Sequence, residues 1–312
     1  MYIGIDIGGT KCAVVKGAFD GEGNMQVVKK IRFETVGVNE TLKKIFDAVE
    51  ELMPCECIGI SCGGPLDERL GVIMSPPNLP GWDNIRIVDM ITERFGVKAK
   101  ICNDANACAL AEWKFGAGKG CENMVFMTFG TGLGAGLILD GKLYSGTNGM
   151  AGEAGHIRLE KDGPVGYGKP GSFEGFCSGG GIAKLAKKYA KEALVGGCVA
   201  FSCKNEEDVE KIDTKMIADL AKAGDVDAIK IFDVSARKLG MGLSVLIDLL
   251  NPERIVLGGI YTRCRDLFDK EMYNVLKSEA LSESLSVCEI VPAALSESIG
   301  DIAALAVADS IK

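Results

Sequence analysis

The segment DIGGTK at residues 6–11 joins a carboxylate to a turn in which two positions lack a Cβ atom and a third carries a hydroxyl. Backbone N–H groups in such a turn can approach phosphate oxygens closely. Glycine pairs also occur in ordinary hairpin turns, so this segment alone leaves both interpretations open. The chemistry that it offers is phosphate binding beside a carboxylate.

A second loop, GTGLG at residues 130–134, has the same character. Two matching phosphate-type loops in duplicated halves of a chain can face each other across a cleft, which favours nucleotide binding over ordinary turns. Neither loop is a Walker sequence or follows the Rossmann spacing in a βαβ unit. A third glycine pair, Gly258-Gly259, follows a predicted strand and could accept the flat face of a base, although alone it is a weak signal.

Asn103-Asp104 stands where a predicted short strand gives way to a helix. Either residue can be an ordinary N-cap there, worth about 1 kcal/mol, and the residues alone favour the cap over a catalytic role. His156 is the only histidine. A Ser-His-Asp triad, a HExxH zinc site or a facial triad with two histidines needs His156 or cannot exist, which weighs against hydrolase and oxygenase functions.

The composition excludes other classes of function. The 312 residues include 35 Lys and Arg against 43 Asp and Glu, and the net charge of −8 disfavours nucleic-acid partners. The longest charge-free stretch, 123–139, is broken by glycines, so no membrane span is expected. No secretory signal pattern follows Met1, so a cytoplasmic location is expected. The twelve cysteines are scattered among apolar residues and should mostly be reduced core residues.

The elements that must position these residues alternate between strands and helices. Residues 2–18 are predicted to form two strands joined by a tight loop, and residues 124–143 repeat that layout with a turn at Asp140-Gly141, which indicates an internal duplication. The predicted fold is α/β with mixed sheets, and the cleft between the halves is the default ligand site. Apolar spacing predicts further helices over 41–52, 105–115, 182–193, 214–223, 227–250, 266–281 and 299–311, and strands over 57–62, 99–102, 254–257 and 287–291.

Five ordered motifs make the chain resemble the ROK sugar kinases and their repressor relatives, of the actin-like ATPase superfamily, over nearly its whole length. The motifs are DIGGTK at 6–11, NDANACALAE at 103–112, FGTGLGAGL at 129–137, GEAGH at 152–156 and GYGKPGSFE at 166–174. The resemblance implies two actin-like (ribonuclease H-like) domains, with ATP and hexose bound in the interdomain cleft.

The same resemblance implies how the chain is divided. Residues 1–102 and a C-terminal helix at about 299–312 would form the N-terminal domain, and residues 103–298 would form the C-terminal domain. Family members form dimers through the latter, so a homodimer is expected. Apolar helix residues there could form the interface or could equally be core: Leu243, Val245, Leu246 and Leu249.

Roles follow from the matched positions. Asp104 would be the general base that accepts the proton of the sugar hydroxyl as it attacks the γ-phosphorus of ATP, and Asp6 would hold Mg²⁺, through water. ATP is expected at Gly8, Gly9, Thr10, Lys11, Gly130, Thr131, Gly132, Gly134, Gly258 and Gly259. The sugar is expected at Gly64, Asn103, Glu153, His156 and Glu174, with Asn78 a weaker candidate because a turn asparagine is the alternative.

The chain departs from the family in one segment. Zinc-binding members have three cysteines after the GExGH histidine, whereas the aligned positions here are Val165, Tyr167 and Ser172. Without zinc ligands of the ordinary type, no structural zinc is expected. The hydroxyls of Tyr167 and Ser172 could fill the vacated space or hydrogen-bond locally, and nearby Cys177 is expected to be a packed thiol.

The expected function is ATP-dependent phosphorylation of a hexose hydroxyl, most directly O6 of glucose or a close relative. N-acetylhexosamines, allose, fructose and β-glucosides remain alternatives, because discrimination depends on hydrogen bonds to a few hydroxyls. The alternative of another class is a non-catalytic sugar-sensing regulator. Repressor relatives carry a helix-turn-helix ahead of the first phosphate loop, while here that loop begins within ten residues of Met1, which favours the kinase.

Overall fold

A computed structural model describes residues 1–311, the side chain of Glu297 excepted. The chain forms two compact units. The first comprises Met1–Phe126, Gly136–Ala151 and the segment from Ala294 onwards, and the second comprises Met127–Ala135 and Gly152–Ala293.

The first half of the chain begins with a hairpin and continues with alternating strands and helices. Its elements are β1 (Tyr2–Ile7), β2 (Lys11–Phe19), β3 (Met25–Glu34), α1 (Val38–Leu52), β4 (Cys57–Cys62), β5 (Leu66–Asp67), β6 (Val72–Ile73), α2 (Ile87–Phe95), β7 (Lys98–Asn103) and α3 (Asp104–Phe115).

The remaining elements include a second hairpin and several long helices. They are β8 (Met124–Phe129), β9 (Leu133–Leu139), β10 (Lys142–Tyr144), β11 (Val165–Gly166), β12 (Lys169–Pro170), α4 (Phe173–Phe176), α5 (Gly179–Val195), α6 (Glu206–Glu210), α7 (Thr214–Lys222), α8 (Val226–Leu250), β13 (Arg254–Leu257), α9 (Ile260–Glu279), α10 (Ser282–Val287), β14 (Glu289–Pro292) and α11 (Ile299–Asp309).

The first sheet has the strand order β3-β2-β1-β4-β7. Strand β1 pairs antiparallel with β2 and parallel with β4, which pairs parallel with β7. Alternate residues of β1 and β4 face opposite sides of the sheet. Ile3, Ile5 and Ile58 are fully buried in the core that α1 and α2 cover. On the other side α11 lies close to the sheet, because a Cβ atom on Gly59 would be 2.2 Å from the Ala304 carbonyl oxygen.

The second five-stranded sheet has the order β10-β9-β8-β13-β14. Strands β9 and β10 are antiparallel and meet at the predicted turn, and β13 and β14 are parallel. The strand order therefore repeats that of the first sheet, three consecutive strands with two further strands beside the first of them. This repetition agrees with the duplication that the sequence predicts.

Several predicted elements need correction. Helix α9 begins at Ile260 rather than 266, and non-helical dihedral angles at Cys264 interrupt the helix shortly after its first turn. Strand β14 begins at Glu289 because Val287 ends α10. Strand β3, α2 and α6 have no counterpart among the predicted elements.

Three further findings concern classes of residue. Every cysteine that the structure describes is free, and most are buried. In α8, Leu243 and Leu246 are core residues, whereas Leu249 is 75% exposed. Within residues 1–311, no helix combines the length and the apolar character that a bilayer crossing needs.

Candidate functional site

The loop between β1 and β2 is fixed by its own backbone. Gly8 N–H donates to the Lys11 carbonyl at 3.1 Å, and Thr35 Oγ1 donates to the Gly8 carbonyl at 2.6 Å. A Cβ atom on Gly9 would be 2.4 Å from the Asn78 carbonyl oxygen, so only glycine fits without displacement. Thr10 is exposed at the tip of the loop, as is Lys11 beside it.

The junction between β7 and α3 places the Asn103-Asp104 pair. The Asn103 side chain accepts a hydrogen bond from Ala105 N–H at 3.0 Å and is the N-cap of α3. Asp104 is the first helical residue, where the helix dipole favours a negative charge. Its Oδ1 also accepts from Ala105 N–H, at 2.8 Å.

The other predicted residues of the first unit gather around this junction. The position that a Cβ atom would take on Gly63 is 3.8 Å from Asp104 Oδ2 and 3.6 Å from Asn78 Nδ2. The corresponding position on Gly64 is 3.5 Å from Asn103 Nδ2. Asn78 therefore contacts both the first loop and the surroundings of Asp104, which its sequence context alone left open.

The carboxylates in this region repel one another. Burial, followed by the charges of Asp104 and Asp301, raises the pKa of Asp6 to about 6, and Lys30 and Arg32 offset only part of this. The Asp104 side chain is accessible to solvent, yet protein surrounds it closely enough that desolvation raises its pKa. Two carboxyl groups with raised pKa values in one region are a frequent property of functional sites.

Glu68 belongs to this region, although sequence analysis did not identify it. Its carboxylate accepts from Asn103 N–H at 2.9 Å, from Ser145 Oγ at 3.2 Å and from Asn106 Nδ2 at 3.4 Å. The Asn106 Oδ1 atom is the only buried side-chain oxygen or nitrogen without a hydrogen-bond partner in the described part of the chain. A lone glutamate 35 positions before Asn103 carries no sequence signal of these contacts.

The second unit brings three glycine segments together. Gly179 N–H donates to the Gly130 carbonyl at 2.7 Å, which joins the start of α5 to the β8–β9 loop. Gly259 has a φ of 60°, and a Cβ atom there would be 2.1 Å from the Phe129 carbonyl oxygen. Gly258 donates to the Met127 carbonyl at 2.9 Å. The glycines at the start of α5, in the sequence SGGG at 178–181, were a signal that sequence analysis missed.

Not every predicted loop residue lies at the tip of the β8–β9 loop. Thr131 is exposed there, between Gly130 and Gly132. Gly134 lies within β9, and its N–H donates to Thr128 Oγ1 at 2.9 Å. Its backbone N–H is therefore engaged by the neighbouring strand.

Three predicted sugar ligands of the second unit lie on adjoining segments. Glu174 Oε2 accepts from Leu133 N–H at 3.0 Å. A Cβ atom on Gly155 would be 3.3 Å from the Glu174 Cβ atom, so the 3₁₀ turn Ala154–His156 packs beside Glu174. His156 and Glu153, at the two ends of that turn, both have exposed side chains.

In the segment at the position of the zinc site of other members, Ser172 and Cys177 are held by burial and hydrogen bonds. Ser172 is fully buried and caps α4 by accepting from Gly175 N–H at 3.1 Å. Of the two alternatives for the hydroxyl residues, local hydrogen bonding or filling of the vacated space, Ser172 does both, whereas the Tyr167 side chain is 78% exposed and does not fill the space. Cys177 is a buried thiol that donates to the Ser235 carbonyl, and burial raises its pKa. Among the described side chains, those of residues 1–311 without Glu297, no three His, Cys, Asp or Glu form a group that could hold a metal ion.

Comparison with known proteins identifies the family. The model of the ROK family matches residues 2–311. This chain belongs to the ROK family. The resemblance inferred from the five motifs is thus confirmed, and so is the α/β class with two mixed five-stranded sheets flanked by helices.

Three relatives illustrate the range within the ROK family. The chain is 29% identical to a glucokinase of Thermotoga maritima over 98% of this chain and 96% of that protein. It is 31% identical to a ROK family glucokinase of Streptomyces griseus, solved in complex with glucose and AMPPNP, with a TM-score of 0.76 over 99% of both chains. It is also 28% identical to a xylose repressor of Caldicellulosiruptor bescii, over 89% of this chain and 70% of that protein.

Proposed function

We propose that this ROK protein is an ATP-dependent sugar kinase that phosphorylates a hydroxyl of a hexose, most directly O6 of glucose or a close relative. The observation that carries the proposal is the cluster in the first unit: Asp104 at the start of α3, with Asp6, Asn78 and Asn103 around it. The Streptomyces griseus relative, whose complex contains glucose and AMPPNP, supports this reading.

In the proposed reaction, the sugar hydroxyl oxygen attacks the γ-phosphorus of ATP. A new P–O bond forms, the bond to the ADP oxygen breaks, and Asp104 accepts the hydroxyl proton. A raised pKa makes Asp104 a better proton acceptor than an ordinary aspartate near neutral pH. Most of the rate in phosphoryl transfer comes from positioning and charge stabilisation, so Asp104 also orients the hydroxyl.

Asp6 is the proposed Mg²⁺ ligand. Burial, followed by the negative charges of Asp104 and Asp301, raises the pKa of this carboxylate to about 6, and Lys30 and Arg32 offset only part of this, so a cation would be favourable beside it. Oxygen ligands and few protein carboxylates suit Mg²⁺, which keeps several of its waters. When bound, Mg²⁺ would neutralise charge on the phosphates of ATP.

The glycine loops are the proposed nucleotide contacts. Thr10, Lys11 and Thr131 are exposed at their loops and would contact the phosphates of ATP. Gly258 and Gly259 would pass beneath the base, because side chains are absent at both positions. Glu153, His156 and Glu174 would bind sugar hydroxyls, as would Gly64, Asn78 and Asn103.

Both the acceptor sugar and the catalytic function have alternatives. N-acetylhexosamines, allose, fructose and β-glucosides are the alternative acceptors. The similarity to a xylose repressor favours a second candidate function, a sugar-sensing regulator without catalysis.

We further propose that the protein forms a homodimer and contains no structural zinc.

The deciding experiment is a coupled ADP-release assay of the purified chain with ATP, Mg²⁺ and a panel of hexoses, N-acetylhexosamines and glucosides. A kinase produces ADP only when its sugar is present. Sugar binding by calorimetry without turnover on any member of the panel would favour the regulator. Elemental analysis tests the metal proposal, since about one zinc per chain, with activity lost on removal, would contradict it.

A further inference from the structure

The hairpin of β11 and β12 ends in a turn whose residues are unusual. Gly166 pairs with Lys169, so Tyr167 and Gly168 are the two turn residues. Both have a positive φ, 42° for Tyr167 and 75° for Gly168. Asparagine, aspartate or glycine normally supplies the first of these positions, because bulky side chains disfavour the left-handed conformation.

The hairpin of β9 and β10 offers a comparison within the same chain. Leu139 pairs with Lys142, and the two turn residues are Asp140 and Gly141. Their φ angles are 50° and 67°, close to those of the other turn. The same backbone is thus built once from the residues that favour it and once with a tyrosine. A non-glycine residue held in this conformation is a reason to look for a function.

The Tyr167 ring has a defined neighbour and an open surface. Its centroid is 6.4 Å from that of the His156 imidazole, with the two planes at 79°. The side chain is nevertheless 78% exposed. A single exposed aromatic residue is ordinary by itself. A ring that served only to pack against His156 would have more of its surface covered, so most of this ring remains free for another contact.

The hairpin is anchored to two proposed sugar ligands. Gly166 is buried, and a Cβ atom there would be 2.9 Å from the Glu174 Cβ atom and 2.5 Å from Gly175 N. Lys169 Nζ donates to the His156 carbonyl at 2.7 Å. The turn is therefore fixed relative to both His156 and Glu174, and the ring of Tyr167 is held beside them.

We propose that Tyr167 contacts the sugar, with its ring covering a C–H face of the bound hexose, and that it contributes to sugar selection. This inference rests on the proposed kinase function. A pyranose exposes C–H groups between its hydroxyls, and an aromatic ring buries such groups efficiently. His156 and Glu174 would bind the hydroxyls while Tyr167 covers the adjoining apolar face, the usual division of work in a ligand site.

The test uses Tyr167→Asn, which suits the turn better than the native residue. We expect its Tm to rise by about 2 °C, because the backbone strain is relieved. We also expect the KM for the sugar to rise about tenfold, while the KM for ATP stays within twofold. The sugar is the one that the wild type uses with the highest kcat/KM in the panel, and calorimetry should show a matching loss of its affinity.

The control is Tyr167→Phe, which keeps the ring and should retain most of the sugar affinity. If Tyr167→Asn keeps the wild-type KM and affinity for the sugar, Tyr167 is not a sugar contact, even though the wild type is an active kinase. Loss of affinity in both variants would also overturn the inference, because the hydroxyl rather than the ring would then matter. A wild type without activity on any sugar would instead refute the proposed function, and this inference with it.

Discussion

The two five-stranded sheets share a strand order, but the loops of their first hairpins differ in chemistry. The loop between β1 and β2 is accompanied by carboxylates, since Asp6 lies one residue before the end of β1, and burial together with the charges of Asp104 and Asp301 raises its pKa. The loop between β8 and β9 is accompanied by glycines, at Gly259 and at the start of α5. The same strand order thus carries charged groups beside the hairpin loop of the first sheet and closely packed backbone beside that of the second.

This difference suggests a division of labour between the two halves of the duplication. Carboxylates are needed where a proton and a cation must be held, and their mutual repulsion is tolerated there. Glycines are needed where an extended ligand must approach the backbone closely, because they carry no side chain that would hinder it. Under the proposed function, the first loop region serves the transferred phosphoryl group and its acceptor, and the second serves the nucleotide.

The largest effect is expected from Asp104→Asn. The change is nearly isosteric and preserves a side chain that can still face Ala105 N–H, so the fold and the sugar affinity should persist. Removing the proton acceptor should lower kcat by a factor of about 1,000 or more. The measurement is steady-state turnover at saturating ATP and sugar, with calorimetry as the control for binding. Wild-type turnover would mean that Asp104 is only a residue of the helix N-terminus.

The substitution Asp6→Asn tests whether the charge of Asp6 destabilises the first loop region, because its effect on the free energy of unfolding should depend on pH. The pKa of Asp6 is raised to about 6 in the folded protein. The stability that the protonated carboxyl group contributes is therefore fully present below about pH 4 and is lost as the pH rises through 6. A shift of this size corresponds to about 3 kcal/mol. The variant should therefore match the wild type at pH 4 and have the larger free energy of unfolding at pH 7.5, by up to that amount.

The experiment is urea unfolding of both proteins in EDTA at the two pH values. Asp47→Asn, at an exposed position of α1, is the control and should change little at either pH. A difference between Asp6→Asn and wild type that is the same at both pH values would show that its cause is neither burial of the Asp6 charge nor repulsion by Asp104 and Asp301.

How far the sequence predicted this molecule can be judged from single elements. Strands β4 and β13 were predicted to the residue, because each contains a short apolar run, residues 57–60 in β4 and 255–257 in β13. Strand β3 was missed because it lies at the sheet edge with both faces largely exposed, so its residues do not alternate between apolar and polar. Helix α2 buries only Ile87 and Ile91, which is too few for a periodic pattern.

The candidate site follows the same logic. Glycine loops and the NDAN segment are local, so the sequence displays them directly. The contacts of Glu68 with Asn103 and Ser145 join residues 35 and 77 positions apart, and no local pattern encodes them. The left-handed turn at Tyr167 was hidden for another reason. Its first residue, a tyrosine, is not one that usually forms that turn.

A paired substitution, Gly9→Ala and Gly130→Ala, compares the two loops directly. A Cβ atom on Gly9 would meet the Asn78 carbonyl oxygen, whereas a Cβ atom on Gly130 would meet no protein atom within 4 Å. Gly9→Ala should therefore lower the free energy of unfolding by about 2 kcal/mol. Gly130→Ala should leave it within about 0.5 kcal/mol, yet raise the KM for ATP several-fold if phosphates approach that backbone. Equal stability losses in both variants would contradict the packing difference.

The smallest effect is expected from Glu68→Gln, which asks whether the carboxylate-rich region depends on a residue that does no chemistry itself. Glu68 accepts three hydrogen bonds, from Asn103 N–H, Asn106 Nδ2 and Ser145 Oγ. A glutamine can keep its one accepting oxygen on Asn103 N–H and Asn106 Nδ2 and donate to the Ser145 hydroxyl, but it loses the charge that strengthens these hydrogen bonds. The backbone at Asn103 should then shift slightly, and Asp104, the next residue, should shift with it.

We expect kcat/KM for the sugar to fall five- to tenfold, equivalent to about 1 kcal/mol, with the KM for ATP unchanged. Glu93→Gln, at an exposed position of α2, is the matched control and should behave as the wild type. If the KM for ATP rose in parallel with the loss for the sugar, Glu68 would support the whole first unit rather than the Asn103-Asp104 junction. If neither constant changed, its hydrogen bonds would be replaceable by water, and the position of Asp104 would depend on the N-cap of α3 alone.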